Sequence, residues 1–190
     1  MKRLIPKFGE ARLQSRGDPF TTLARSITGQ QISVKAAQSV WERLVEVVGP
    51  SAGGLRPDAL GACSVERLRT AGLSQRKAEY LLDLARHFEA GLVHVKSWDE
   101  MDDEAIIAEL VAIRGIGRWT AEMFLIFHLM RPDVLPLDDL GLIKGISLNY
   151  FSGEPVSRAE AREVADAWAP FRSVATWYIW RSLDPLPVDY

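Results

Sequence analysis

A single cysteine, Cys63, occurs in 190 residues, so no disulfide, thiolate zinc site or iron–sulfur cluster can form within this chain. His87, His94 and His128 lack metal-ligand spacing and read as surface or core residues. No apolar run approaches the roughly 20 residues needed to cross a bilayer. The opening Met1-Lys2-Arg3-Leu4-Ile5-Pro6 is basic but has no apolar stretch of signal-peptide type. A reducing, cytoplasmic setting is the expectation. Basic excess is missing too: 23 Lys and Arg face 25 Asp and Glu, a net charge of −2. That balance argues against a protein that grips nucleic acid mainly through cationic side chains. It leaves room for one that uses backbone amides and helix N-termini, which contact phosphate without altering net charge. Such binding releases few counterions and should be weakly salt-dependent. Period-two alternation is nearly absent, so strands are not expected.

What is present is helical punctuation. With 47% apolar and 25% charged residues, the chain reads as an ordinary globular protein, one compact unit or two small lobes. Pro19 to Ile27 is the first main helix, broken at Gly29. Ser33 caps the next, whose apolar stripe is Ala36, Ala37, Val40, Leu44, Val47 and Val48, and Gly49 closes it. A loop over Pro50–Pro57 and a short helix from Ser64 to Thr70 follow. Ser74 caps a long helix with Ala78, Leu81, Leu82, Ala85 and Phe88 on one face, stopped by Gly91. Asp102 or Asp103 caps the next helix, and Arg118 to about Met130 forms another. Val134 to Leu137 is extended, because Pro136 steers its predecessor away from helix. Ser157-x-x-Glu160 is a capping box, and Phe171 to Leu183 forms the last helix, with Phe171, Val174, Ala175 and Tyr178 as its core face. The tail with Pro185 and Pro187 is expected to fray.

Chemistry concentrates in two segments. Residues 110–121 read L-V-A-I-R-G-I-G-R-W-T-A, two helices joined through a glycine hairpin. Gly115 and Gly117 permit a tight turn where a side chain would clash. Arg118 then opens a helix whose first N–H groups form a ready anion site. About twenty residues on, L-P-L-D-D-L-G places Asp139 at the N-cap of a helix over Leu140–Asn149, where the helix dipole attracts negative charge. Asp139 is either a cap alone or a cap that also serves a reaction; Asp138 reads as structural. Trp180 lies off the core stripe of the last helix, as a buried ring or as the wall of a cleft where an indole face stacks a flat ring. Gly29-Gln30-Gln31 breaks two helices. It is either a solvated turn or a loop able to fill the gap left by an extruded base.

Together these segments resemble the HhH-GPD superfamily of DNA glycosylases, in its 3-methyladenine-DNA glycosylase II branch. The resemblance rests on I-R-G-I-G-R-W-T-A (113–121), L-P-L-D-D-L-G-L (135–142) and I-T-G-Q-Q-I-S (27–33). G-L-S-Q-R-K-A (72–78) and F-R-S-V-A-T-W-Y-I-W (171–180) support it. It implies an all-α, two-lobed fold with a helix-hairpin-helix and an interlobe cleft, without an N-terminal β domain. Residues 1–190 then form a single glycosylase unit, one lobe over 20–130 with the hairpin at 110–121, the other over 1–19 plus 131–190. Asp139 becomes the catalytic aspartate. Trp180, Trp119, Met123 and Arg181 fall at base-pocket positions. Gly115, Gly117, Arg118, Thr120, Gln30 and Gln31 fall at DNA-binding positions, Gln31 where the family places its wedge.

The resemblance also implies that the backbone carbonyls of Val111, Ile113 and Ile116 can hold structural Na+ or K+; no other cofactor is required. Members that cleave the backbone carry lysine directly after G-x-G-x. Trp119 stands there, which implies a monofunctional enzyme without lyase activity. The implied activity is base excision of 3-methyladenine- or 7-methylguanine-type lesions from double-stranded DNA by a monomer. Two alternatives stay open: a non-catalytic helix-hairpin-helix module that binds damaged DNA, and a glycosylase for oxidised or mispaired bases.

Overall fold

The computed structural model describes residues 1–10, 15, 17–49 and 54–183. They fold into helices with no strand among them. No helix among them is long and apolar enough to cross a membrane. The chain divides into two compact units, one of Arg16–Phe124 and one of Met1–Ser15 with Leu125–Tyr190. The division falls inside a helix rather than in a loop, so three apolar residues at that helix's end serve the second unit.

After α1 (Leu4–Phe8), the Arg16–Phe124 unit contains α2 (Pro19–Gly29), α3 (Val34–Val48), α4 (Pro57–Gly61), α5 (Val65–Arg69) and α6 (Gln75–Glu89). A 3-10 turn (Val95–Glu100), α7 (Asp103–Val111) and most of α8 (Arg118–Phe127) complete it. Helix starts are set locally. Side-chain oxygens of Asp18, Ser33, Ser64, Ser74 and Asp102 each accept a backbone N–H three residues on. A cap of this kind is worth about 1 kcal/mol. α6 is the hub, packed against α2, α4 and α5 through Ala78, Leu81, Leu84 and Ala85. Phe88 is only partly buried and meets Phe20 edge-on at 5.1 Å.

The expected stripe on α3 is corrected. Val40, Trp41 and Leu44 are buried, while Ala36 is exposed and Val47 and Val48 are only half-buried. The helix seats its middle turns, with the buried Trp41 indole beneath the Arg25 guanidinium at 5.7 Å. Residues 50–53 of the expected loop, and the proline-containing tail, lie outside the described residues.

In the second unit α1, α9 (Leu140–Tyr150), α10 (Arg158–Asp166) and α11 (Arg172–Leu183) surround a core of Leu4, Leu142, Ile146, Trp168, Tyr178 and Ile179 with three alanines. The Ser157–Glu160 capping box forms as expected. Two expectations need correction. α8 stops at Phe127, because Met130 takes a left-handed φ of 58° and the Arg131 N–H turns back to the Leu125 carbonyl. Phe171 is 60% exposed and lies before α11, whose buried residues are Ser173, Ala175, Thr176, Tyr178 and Ile179. Ser173 sets that orientation: its hydroxyl donates to the Arg131 carbonyl (2.6 Å) and accepts the Val134 N–H (2.9 Å). The start of α11 is thus docked by its serine face, and Phe171 turns outward.

α9 and α11 approach closely at Gly145, where an added Cβ would overlap the Ile179 side chain. Gly145→Ala should therefore destabilise the protein by about 1–3 kcal/mol through overpacking, read as a lower urea midpoint. An unchanged midpoint would mean the two helices separate freely.

Candidate functional site

The hairpin between α7 and α8 is built from short-range bonds and anchored from three sides. Ile113 N–H donates to the Leu110 carbonyl and Ile116 N–H to that of Ile113, each at 3.1 Å. Both isoleucines are buried and pin the loop to the core. Gly115 has φ +88°, and a Cβ there would overlap the Tyr80 ring. Its carbonyl accepts the Gln30 side-chain amide at 2.9 Å. The Arg114 N–H donates to Asp83 at 2.9 Å. Burial acts to raise the Asp83 carboxyl, but the Arg114 N–H and the Arg86 and His87 side chains outweigh it and hold it below the usual carboxylate range.

In front of the hairpin lies an open groove of about 680 Å³, lined by Gln30, Gln31, Arg76, Lys77, Tyr80 and the glycine turn. Burial draws the Lys77 ammonium below the ordinary lysine value. Its Nζ donates to the carbonyls of Thr28 (2.8 Å) and Gln30 (2.7 Å).

The positions expected to bind DNA separate into kinds. Only Gly115 needs glycine for its conformation. Gly117 has no left-handed φ, and a Cβ there would meet open space, so the expectation of a clash at Gly117 is corrected. What its bareness leaves open is the first turn of α8, where helix N–H groups have no intrahelical acceptor. The Arg118 guanidinium is committed to carboxylates: Glu104 at 2.9 Å with a second, shorter contact, and Glu122 at 3.0 Å. Glu104 raises its pKa further. Thr120 is buried. These two residues can therefore reach a phosphate through backbone amides rather than through free side chains. Gln31 is exposed with φ 59°, whereas the Gln30 amide is engaged.

Val111 ends α7, where C=O groups lose their helical donors, and Ile113 and Ile116 lie in the turn between α7 and α8. The Ile113 carbonyl already accepts one N–H and keeps a second lone pair. Hard oxygen donors on such a turn suit a monovalent cation. Among the described residues there is no cluster of three or more His, Cys, Asp or Glu that could hold a metal.

Asp139 lies in the other unit, half-buried at the N-cap of α9. Its Oδ1 accepts the Leu142 N–H at 2.6 Å and the Trp180 indole N–H at 2.8 Å. The Trp180 ring stacks on Phe127, with centroids 5.7 Å apart and planes 19° from parallel. Gly141 makes room for both: a Cβ there would lie 3.0 Å from the Asp139 oxygen and 3.4 Å from the indole. Asp138 instead makes a surface ion pair with Arg158 at 2.8 Å.

Of the other pocket positions, Trp119 is 39% exposed in the first turn of α8 and Met123 is buried one turn on. Arg181 belongs to the Asp139 unit. Its guanidinium lies over the rings of Phe8 (5.6 Å) and Trp177 (5.5 Å), with Nε and Nη1 enclosed and making no hydrogen bond. Sequence reasoning gave no role to Tyr80, Lys77, Phe127 or Gly141, although Lys77 and Gly141 lie within the segments 72–78 and 135–142 that carry the resemblance.

An all-helical chain with a glycine hairpin opening onto a helix N-terminus, and with a helix-capping aspartate bound to an indole, belongs to the helix-hairpin-helix class. Residues 24–170 match the HhH-GPD superfamily of base excision DNA repair proteins, and the chain belongs to that family. It is 31% identical over 181 residues to DNA-3-methyladenine glycosylase 1 of Schizosaccharomyces pombe, covering 95% of this chain and 79% of that one. It is also 31% identical to the putative DNA-3-methyladenine glycosylase YfjP of Bacillus subtilis, but spans only 59% of its length. Among solved structures, DNA-3-methyladenine glycosidase from Bacillus halodurans superposes with a TM-score of 0.89 at 38% identity, over 96% of this chain and 83% of that chain. The S. pombe enzyme in complex with abasic DNA superposes with a TM-score of 0.81 at 30% identity, over 98% and 93%.

The two hairpin glycines should fail differently. Gly115→Ala should destabilise the fold by about 1–3 kcal/mol, through left-handed strain and the Tyr80 overlap. Gly117→Ala should leave thermal stability unchanged yet weaken duplex binding in a filter or anisotropy assay. Equal losses of stability would overturn the distinction.

Proposed function

We propose that this chain is a monofunctional DNA glycosylase that removes alkylated bases, of 3-methyladenine and 7-methylguanine type, from double-stranded DNA. It acts as a cytoplasmic monomer. The observation that carries this reading is the Asp139 carboxylate, fixed by two donors beside the stacked Trp180–Phe127 pair. Family membership and the named relatives support it.

Amides around Gly115 and Gly117, with those opening α8, hold the phosphate backbone without cationic side chains. Structural Na+ or K+ would be held by the carbonyls of Val111, Ile113 and Ile116 and would stiffen the turn. The damaged nucleotide rotates out of the duplex while Gln31 fills the gap. Trp180, with Arg181 beside it on α11, contributes to the surroundings of the base, and Trp119 and Met123 are the base-pocket positions of α8.

N-alkylation leaves the base positively charged, so the base departs with the electron pair of the glycosidic bond and needs no strong acid. Positive charge then develops at C1′. The Asp139 carboxylate stabilises it and orients the attacking water, whose oxygen bonds to C1′ as its proton passes to Asp139. The products are the free base and an intact abasic strand. With Trp119 in place of a lysine after the hairpin, no amine is available there for a Schiff base.

Asp139→Asn should slow release of methylated bases by at least about 100-fold, while binding to an abasic-site duplex persists. Native-rate release by that variant would overturn the assignment. No release by the native protein, from any lesion in a panel of alkylated and oxidised bases, would leave a DNA-binding module. Trp180→Phe keeps an aromatic ring but removes the indole donor to Asp139. Excision should then fall about tenfold with little change in duplex affinity, measured by single-turnover kinetics beside anisotropy.

A further inference from the structure

Two cationic side chains line the hairpin groove, and their geometry assigns them different work. Arg76 is exposed. Lys77 points inward, with its Nζ 2.8 Å from the Thr28 carbonyl and 2.7 Å from that of Gln30. These carbonyls lie at the end of α2, where C=O groups lose their helical donors and the helix dipole is negative. An ammonium supplies several donors from one point and can serve both carbonyls at once. The next residue, Gln31, is exposed and holds φ 59°, a conformation that side-chain-bearing residues rarely adopt without support. The neighbouring Gln30 amide reaches across to the Gly115 carbonyl at 2.9 Å. One turn is thus tied to α6 by Lys77 and to the phosphate-binding hairpin by Gln30.

We infer that Lys77 is a positioning residue: by bridging the Thr28 and Gln30 carbonyls it holds the strained turn that projects Gln31 into the duplex. Gln30 transmits that position to the hairpin, so backbone grip and gap filling are delivered by one rigid piece. Without the ammonium, the carbonyls at the end of α2 lose their common donor and Gln31 relaxes out of the left-handed region. The inference rests on the glycosylase reading for the role of Gln31, not for the geometry.

The test compares native protein with Lys77→Met, Lys77→Arg, Gln31→Ala and the Lys77→Met/Gln31→Ala double variant. One readout is single-turnover release of 7-methylguanine. The other is fluorescence of 2-aminopurine placed beside a tetrahydrofuran abasic analogue, which reports local unstacking without turnover. Lys77→Met should slow release about tenfold and diminish the fluorescence rise, while affinity for undamaged duplex is unchanged. Lys77→Arg should restore most of both signals, since a guanidinium can also reach two carbonyls. The double variant should be no slower than Gln31→Ala alone.

Native behaviour of Lys77→Met in both readouts overturns the proposal, and so does a multiplicative loss in the double variant. Loss of undamaged-duplex affinity in step with the fluorescence loss overturns it as well, since Lys77 would then be a phosphate contact. Should Lys77→Met unfold below assay temperature, Lys77→Gln, which can serve one carbonyl, makes the same comparison. A native protein that releases no base overturns the glycosylase reading, while the fluorescence comparison still decides the part played by Lys77.

Discussion

One oxygen of Asp139 receives both a first-turn N–H of α9, from Leu142 at 2.6 Å, and the indole N–H of Trp180 at 2.8 Å. The first bond starts a helix; the second fixes the rotation of a large ring on α11, which then stacks on Phe127 at the end of α8. Two helices therefore meet at one carboxylate, and the end of α8 packs on the ring it holds. Their packing sets further demands. Gly141 must be bare beside the carboxylate, and Gly145 must be bare where Ile179 crosses one turn later. Capping and catalysis do not compete for Asp139 in this arrangement. On the proposed mechanism a carboxylate that waits for positive charge on a sugar must not reorient when that charge appears, and the bonds from Leu142 and Trp180 supply that fixity in advance.

The hairpin follows the same logic with neutral groups. Backbone amides grip a phosphate only if the turn presenting them is rigid, since each has one direction and no length to adjust. Tyr80 closes one face of Gly115, the Gln30 amide occupies its carbonyl, and Asp83 takes the Arg114 N–H. All three supports come from α6 or from the turn at the end of α2, distant in sequence from the hairpin. The glycine at 115 is demanded by the chain's own conformation. The chain's own conformation makes no such demand at 117, where a Cβ would meet open space.

The helices were legible in the sequence because their ends are decided within four residues. Ser33, Ser74, Asp102 and the Ser157–Glu160 box all cap the helices whose starts they mark. Asp139 was legible for the same reason. Features that depend on a partner far along the chain were not. A Trp41-centred face on α3, the outward turn of Phe171 and the bare contact at Gly145 follow from which helix lies opposite, and period alone cannot supply that. Arg118 illustrates the limit best. Beside two glycines at a helix start it reads as a phosphate ligand, yet Glu104, fourteen positions earlier, neutralises it.

That neutralisation also bears on how a chain of this charge can meet DNA. A chain with net charge −2 approaching a polyanion would ordinarily be expected to rely on a local cluster of arginines and lysines. Here the nearest candidates are largely occupied within the protein. Arg118 is held by Glu104 and Glu122, and the Lys77 ammonium by the carbonyls of Thr28 and Gln30. What remains along the groove is the exposed Arg76, neutral side chains such as Gln31 and Tyr80, and the backbone of the glycine turn. Dipoles bind phosphate at short range and release few counterions, so they add little long-range pull toward undamaged DNA. An enzyme that must find rare lesions among intact base pairs benefits from that restraint. On the proposed reading, with the glycine turn as the phosphate seat, affinity is concentrated where the backbone is already bent, and such bending comes most readily at a base pair weakened by damage.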